Sequence, residues 1–166
     1  MKNPRYQGGG SSHVNSFKVT SVWDALTEKE NVIYAEGFSS ETDVYDEKLA
    51  AEAIEAAKQV DKAVVFAGLP ESFESEGYDC KHMHLPECQN KLIAEIVKAQ
   101  LNTIVVLHNG AAVEMPWLKD VKGLVEAYLG GQAVGQAEAN ILYGNVIRPE
   151  SWQKYCQLSW KIICHI

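Results

Sequence analysis

The sequence has no excess of basic residues and no long apolar run. Lys and Arg total 15 against 22 Asp and Glu, giving a net charge of -7, so no basic stripe is present to neutralise nucleic-acid phosphates. No apolar stretch reaches the length of a membrane span, and no basic segment followed by an apolar one opens the chain. We therefore expect no nucleic-acid or membrane partner and a cytoplasmic location, although a signal peptide encoded upstream would escape notice.

Cysteine is also scarce, with four residues in 166, so a disulfide framework is not expected. Cys80 and Cys88 bracket His82 and His84 in a C-x-H-x-H-x3-C pattern, which raises the question of a zinc site. Structural zinc sites usually separate their two ligand pairs widely in sequence, whereas these four residues crowd into one short loop. This crowding argues against zinc, and we expect no metal.

The length and composition fit one soluble domain, with 46% hydrophobic and 22% charged residues. Apolar and amphipathic segments alternate along the chain. The pattern predicts strands over residues 31–35, 62–67, 102–108 and 123–128, and helices over residues 21–29, 45–59, 86–100 and 132–143, with Ser21 as an N-cap. This alternation predicts an α/β fold: a mostly parallel, doubly wound sheet flanked by helices, with a flavodoxin-like arrangement.

An acidic loop follows the apolar strand predicted at residues 62–67. It carries Glu71, Glu74, Glu76 and Asp79. The carboxyl ends of the strands are where open α/β folds place their chemistry, and clustered carboxylates raise one another's pKa. The loop could therefore supply a general acid, although a solvated acidic loop is the simpler alternative.

A glycine-rich segment, Gly8-Gly-Gly-Ser-Ser12, lies near the start of the chain. A Walker loop needs a Lys-Ser/Thr pair that opens a helix, and a dinucleotide loop needs a preceding strand; neither context is present. What remains is backbone that can approach a ligand closely, with Ser11 and Ser12 as hydrogen-bonding groups, or else a plain flexible loop.

Five segments together resemble one family. They are Arg5-Tyr-Gln-Gly-Gly-Gly-Ser-Ser-His, Ser75-Glu-Gly-Tyr-Asp, Leu85-Pro-Glu-x-Gln, Val105-Val-Leu-His-Asn-Gly and Tyr128-Leu-Gly-Gly-Gln-Ala-Val-Gly-Gln-Ala. Their order and spacing are similar to those of the C-terminal α/β sandwich domain of glycoside hydrolase family 3, the β-glucosidase family. The resemblance covers roughly residues 2–147.

The resemblance implies a shared active site. In the family, a preceding (β/α)8 barrel supplies the aspartate nucleophile and most of the sugar-binding groups, and the sandwich domain adds the general acid/base. By position in the motif, Glu76 would be that acid/base and Ser11 a contact to the bound sugar. Glu74 remains the alternative acid, and Glu71 is interpreted as solvated. The substrate would be a terminal β-glucoside or a related sugar, and no cofactor is implied.

Three departures from the family pattern stand out. The chain contains no barrel, so the resemblance implies that it is inactive alone and that its barrel-docking face is an apolar patch prone to self-association. Cys80 stands where the family usually has arginine, which could pair with Asp79 and order the loop. The third departure is the tail, where the family reads Asn-Pro-Ser-Gly-Lys-Leu.

The tail begins Ile147-Arg-Pro-Glu-Ser-Trp-Gln-Lys. Codons AAT CCG TCC GGA AAG TTG GCA GAA encode the family motif followed by Ala-Glu. Deletion of one A makes them encode Ile-Arg-Pro-Glu-Ser-Trp-Gln and the first two bases of a lysine codon, which the next base completes. We therefore interpret residues 1–147 as the incomplete domain and residues 148–166 as an anomalous, frameshift-derived tail that packs poorly. Sequencing of the gene would test this.

Two other function classes stay open at this point. The chain could be a non-catalytic sugar-binding or interaction module with a flavodoxin-like fold. A small nucleotide-binding α/β protein is a further alternative, which the lack of a phosphate-loop context disfavours.

Overall fold

The computed structural model describes residues 2–27, 32–40, 42–77, 79–146, 156–159 and 162–164. Within them, the helices are α1 (Val22–Thr27), α2 (Glu47–Lys58), α3 (Glu87–Ala99) and α4 (Val134–Leu142), and Gly10–Ser12 form one 3-10 turn. The strands are β1 (Ala63–Gly68), β2 (Thr103–His108), β3 (Gly123–Glu126), β4 (Cys156–Ser159) and β5 (Ile162–Cys164).

Strands β1, β2 and β3 form one parallel sheet in that order. Ala63 pairs with Thr103 and Gly68 with His108, while Ile104 pairs with Gly123. Helix α3 connects β1 to β2, as parallel neighbours require. Helices α2 and α3 pack in the main core, whereas α1, α4 and Phe66 of β1 form a second apolar cluster. The predicted α/β class, a parallel sheet flanked by helices, is confirmed.

Helix α3 shows why the helix predictions succeeded. Leu92, Ile93, Ile96 and Val97 recur at helical spacing, and all four are buried against the sheet. Pro86 occupies the N-cap position, where its missing N–H costs nothing. The spacing of the apolar residues therefore correctly predicted which face of α3 is buried.

The amino-terminal ends of α1 and α2 are capped by side chains. Asp46 accepts hydrogen bonds from the backbone N–H groups of Lys48 and Leu49 at 2.9 and 3.1 Å. Ser21 accepts one from the N–H of Asp24 at 3.1 Å, which confirms Ser21 as the N-cap of α1. Both caps hold the loops that lead into these helices.

The prediction of a strand at residues 31–35 is wrong for residues 32–35, which belong to neither a helix nor a strand; Asn31 lies outside the described residues. A strand needs a neighbour for its backbone groups, and a cleft of about 750 Å³ lies between this segment and β1. Strand β3 ends at Glu126, two residues before the predicted end.

The tail differs in part from its prediction. No element was predicted there, yet Cys156–Ser159 and Ile162–Cys164 form an antiparallel pair. The remaining tail residues lie outside the described part of the chain, so the prediction that residues 148–166 pack poorly stays a prediction. No helix in the described residues is long and apolar enough to cross a membrane.

Candidate functional site

The candidate site lies at the carboxyl edge of the parallel sheet, where the chain leaves β1, β2 and β3. The amino-terminal segment runs across this edge. The Tyr6 carbonyl accepts a hydrogen bond from Gly131 N–H at 2.8 Å, and Thr20 N–H donates to the Gln132 carbonyl at 2.9 Å. These contacts hold the amino-terminal segment against the loop that follows β3, at the carboxyl edge of the sheet.

Arg5 clamps the acidic loop to the end of β1. Its guanidinium donates to the Leu69 carbonyl at 2.5 Å, and to the carboxylate and the carbonyl of Glu74, both at 3.0 Å. The Glu74 carboxylate also accepts from Gly110 N–H at 2.9 Å. Glu74 is thus occupied in anchoring the loop, which makes it the weaker of the two predicted acids.

Glu76 contacts Ser11, and these are the two site residues predicted from the sequence. Its Oε2 accepts hydrogen bonds from both the N–H and the hydroxyl of Ser11, each at 2.6 Å. Both side chains are exposed at the surface of the domain. The structure therefore brings together a carboxylate and a hydroxyl that lie 65 positions apart in sequence.

Gly10 makes this approach feasible. Its φ is +86°, in the left-handed region that favours glycine. A Cβ at this position would lie 2.5 Å from Glu76 Oε2 and 2.6 Å from Glu76 Cβ. Any larger residue would push the two segments apart, so the glycine is required by the contact itself.

The pKa of Glu76 is lowered from its ordinary value. The main cause is the hydrogen bond from the Ser11 hydroxyl, followed by that from the Ser11 N–H; both stabilise the ionised carboxylate, and slight desolvation opposes them. The prediction that clustered acids raise the pKa is therefore wrong for Glu76. The reason is that Glu74 turns toward Arg5, while Ser11 supplies donors to Glu76.

The remaining polar residues of the loop face solvent. Glu71 is exposed, as interpreted from the sequence, and so are Asp79 and Cys80; Tyr78 lies outside the described residues. The Cys80 Sγ lies 3.9 Å from the Phe73 carbonyl oxygen, which is a weak contact. Cys80 therefore adds little to loop order.

The residues weighed as zinc ligands lie in different environments: the rings of His82 and His84 are 5.1 Å apart and Cys80 is exposed, whereas Cys88 is buried. Cys88 is buried in the core, with its thiol 3.9 Å from the Thr42 carbonyl oxygen. Burial, followed by a hydrogen bond with Asp43, raises the pKa of this thiol to about 11, which disfavours the thiolate that zinc needs. Among the described residues, no three His, Cys, Asp or Glu side chains are placed to hold a metal ion.

Sequence reasoning missed a polar pair beneath the site. His108, the last residue of β2, places Nε2 3.1 Å from Glu138 Oε1 of α4, and both residues are buried. Its Nδ1 lies 3.2 Å from the Arg5 carbonyl oxygen. The sequence offered one signal of this pair, which is that a histidine ends a mostly apolar strand. The partners of His108 could not be predicted, because they are distant from it in sequence.

Comparison with known proteins agrees with this fold. The model of the glycosyl hydrolase family 3 C-terminal domain matches residues 1–150. Thermostable beta-glucosidase B from Acetivibrio thermocellus is 49% identical over 150 residues, which are 88% of this chain and 20% of that enzyme. An exo-alpha-(1->6)-L-arabinopyranosidase from Bifidobacterium longum is 42% identical over 147 residues, or 87% of this chain and 19% of that enzyme.

A solved structure gives the same result. The crystal structure of a GH3 beta-glucosidase from Bifidobacterium adolescentis superposes with a TM-score of 0.81 and 41% sequence identity, covering 86% of this chain and 21% of that one. The chain thus spans about a fifth of the length of these relatives. It belongs to the glycosyl hydrolase family 3 C-terminal domains and is related to those of beta-glucosidase-type enzymes.

Proposed function

We propose that this domain supplies the general acid/base of a retaining β-glucosidase-type hydrolase, with Glu76 in that role and Ser11 beside the sugar. The supporting observation is the contact of Glu76 with Ser11 at the carboxyl edge of the sheet. The nucleophile and most of the sugar pocket would lie on an N-terminal barrel domain.

The proposed chemistry assigns Glu76 one proton in each of two steps. Protonated Glu76 donates to the leaving glycosidic oxygen while an aspartate of the barrel forms the covalent glycosyl-enzyme intermediate. The Glu76 carboxylate then takes a proton from the water that releases the sugar. Two such carboxyl groups stand about 5–5.5 Å apart in retaining enzymes.

Ser11 would act as a switch for the charge of Glu76. In the domain alone its two donors favour the carboxylate, which is the base form. The acid form requires a raised pKa, and the nearby negative charge of the nucleophile, together with desolvation, would provide it. Rotation of the Ser11 hydroxyl toward the sugar would remove the largest stabilising contact of the carboxylate.

The segment after Ser11 supports a docking role. Val14 is 62% exposed and Phe17 is 101% exposed, so both apolar side chains face solvent beside the site. Exposed apolar side chains that form a contiguous patch mark protein contact surfaces. We propose that this segment packs on the barrel, and that without it the segment promotes self-association.

The test is a chimera in which residues 2–146 replace the matching segment of thermostable beta-glucosidase B. In this chimera, Glu76→Gln should lower kcat for an alkyl β-glucoside by roughly 10²–10⁴-fold. For a dinitrophenyl β-glucoside the loss of kcat/KM should be much smaller, because kcat/KM reports formation of the intermediate and that leaving group departs without a proton. Its kcat should stay low, because the second step still lacks its base. Azide, which needs no base, should rescue the variant and give a glycosyl azide.

Glu71→Gln is the matched control, because Glu71 is an exposed carboxylate in the same loop. It should leave kcat within about twofold of the parent chimera. Equal losses in both variants, or a Glu76→Gln loss that does not depend on the leaving group, would overturn the assignment.

A further inference from the structure

A buried histidine and a buried glutamate lie beneath the residues that hold the site. The side chains of His108, at the end of β2, and Glu138, on α4, are 8% and 3% exposed, with Nε2 3.1 Å from Oε1. Neither Glu138 oxygen has a hydrogen bond of good geometry within the described residues, so this contact is an electrostatic one. A buried carboxylate is costly unless it is paired. The contact with Glu138 therefore fixes the orientation of the His108 ring.

The other ring nitrogen of His108 contacts the amino-terminal segment. Nδ1 lies 3.2 Å from the carbonyl oxygen of Arg5. Because a carbonyl oxygen only accepts hydrogen bonds, Nδ1 carries the proton in this contact. Glu138 thus orients the ring from one side, and the ring donates to the Arg5 backbone from the other.

Arg5 connects this buried pair to the acidic loop. Its guanidinium donates to the carboxylate and the carbonyl of Glu74, which lies two residues before Glu76. Gly110, two residues after His108, donates its N–H to the same carboxylate. The position of the loop that carries Glu76 therefore depends on where the Arg5 backbone and the end of β2 are held.

Arg5 also belongs to the stem of the loop that carries Ser11. This loop is closed on itself, because the Gln7 side chain donates to the Val14 carbonyl at 3.1 Å and accepts from the Val14 N–H at 3.0 Å. A compact loop closed in this way is placed by its stem. The stem is held to the sheet through the carbonyls of Arg5 and Tyr6.

Packing alone does not require a polar pair at this place. The His108 ring lies 6.3 Å from that of Phe66, and Ala139, the neighbour of Glu138, belongs to the same apolar cluster as Phe66. Apolar side chains of similar volume often replace a buried charged pair without loss of stability. The polarity of the pair therefore points to a role beyond filling the core.

We propose that His108, oriented by Glu138, is a positioning residue for the candidate acid/base: it holds the Arg5 backbone where Ser11 and Glu76 meet. The inference rests on the function proposed for Glu76. His108 acts through Arg5 and not on the substrate. Without its donor, the stem of the Ser11 loop and the guanidinium that holds the acidic loop both shift.

The test uses two double variants of the full chain that differ only at position 108. Both carry Glu138→Leu, because removal of His108 alone would leave a buried carboxylate unpaired. The first adds His108→Leu and has no donor to the Arg5 carbonyl. The second adds His108→Asn, whose amide nitrogen can occupy the place of Nδ1 and donate to the same carbonyl.

NMR titration of the Glu76 side-chain carbon is the first readout. The leucine variant should raise the pKa of Glu76 toward the ordinary glutamate value, because the hydroxyl and the N–H of Ser11 move away from the carboxylate. The asparagine variant should restore the lowered pKa. An unchanged titration in the leucine variant, or the same change in both variants, would overturn the proposal.

Kinetics in the chimera separate positioning from general damage. The leucine variant should lower kcat/KM for an alkyl β-glucoside by roughly tenfold to a hundredfold, with a much smaller loss for a dinitrophenyl β-glucoside, and the asparagine variant should recover most of the activity. Equal losses for both leaving groups would overturn the positioning role. If Glu76→Gln itself shows no dependence on the leaving group, the proposed function fails, and the Glu76 titration in the chain still decides the role of His108.

A measurement on the unaltered chain does not depend on how the variants fold. His108 Nδ1 should show the NMR shift of a protonated ring nitrogen, and its proton should exchange slowly with water because it is buried and hydrogen-bonded. An unprotonated Nδ1 would overturn the proposal, since it could not donate to the Arg5 carbonyl.

Discussion

Glu76 and Ser11 show how strongly one hydroxyl controls a surface carboxylate. The Ser11 side chain and backbone both donate to the same oxygen, so the ionised form is favoured although no positive charge takes part. A carboxylate whose pKa is lowered in this way adds stability above its unfolded-state pKa. That stability is lost as the pH falls through the lowered folded-state value.

Ser11→Ala should raise the pKa of Glu76 toward the ordinary glutamate value. The substitution removes the hydroxyl hydrogen bond, which is the larger of the two contacts that stabilise the ionised carboxylate, and leaves the one from the backbone N–H. NMR titration of the Glu76 side-chain carbon measures this directly. Ser12→Ala is the control and should leave the titration unchanged. A Glu76 titration that is the same in both variants would contradict the contact.

Arg5→Met should lower the free energy of unfolding by about 2–3 kcal/mol, because it leaves the Glu74 carboxylate and the Leu69 carbonyl without their charged donor. Urea denaturation measures the change. Lys58→Met removes a cation from an exposed ion pair with Glu55 and should cost less than about 0.5 kcal/mol. Similar losses in the two variants would show that the clamp adds nothing specific.

Elements with a local pattern were predictable, and elements that depend on a neighbour were not. The apolar run of β2 was predictable because it is buried on both faces, and the helical stripe of α3 because one side of the helix is buried. The apolar run of β1 was predictable from its residue types alone. Residues 32–35 carry the same residue types but stand across a cleft from β1. For the site, the positions of Glu76 and Ser11 in the sequence motifs predicted both residues. The contacts of Arg5 and the lowering of the Glu76 pKa could not be predicted, because they depend on contacts between segments that are distant in sequence.

Ile93→Ala should cost about 2–5 kcal/mol of unfolding free energy, since Ile93 is fully buried where α3 meets the sheet. Urea denaturation followed by circular dichroism checks it. Lys98→Ala, on the exposed face of the same helix, should change stability by less than about 0.5 kcal/mol. A loss below about 1 kcal/mol for Ile93→Ala would mean that α3 is not packed as described.

At the scale of the whole molecule, the domain presents one half of a proposed active site. Glu76 and Ser11 lie at an open surface, with the exposed Val14 and Phe17 on the segment beside them. The proposed nucleophile and sugar pocket would come from a barrel that the matched family domain does not include. Specificity would then reside largely outside this chain.

The isolated chain should hydrolyse 4-nitrophenyl β-glucoside no faster than buffer, because an acid/base without a nucleophile and a binding pocket gains little. Release of nitrophenol, measured over hours, checks this. Turnover comparable with that of full-length relatives would refute the division of labour. Calorimetry with glucose adds a second readout, and measurable binding would favour a stand-alone sugar-binding module.

The amino-terminal segment that crosses the sheet edge has a consequence for biosynthesis. Its Tyr6 carbonyl and Thr20 N–H are hydrogen-bonded to Gly131 and Gln132. Because these two partners come more than 100 residues later in the chain, the segment is synthesised well before them. At about 5–20 residues per second, the interval is on the order of 6–25 s. During that time only the earlier partners of this segment, Leu69, Glu74 and Glu76, are available to hold it, so its final placement waits for the loop at residues 131–132.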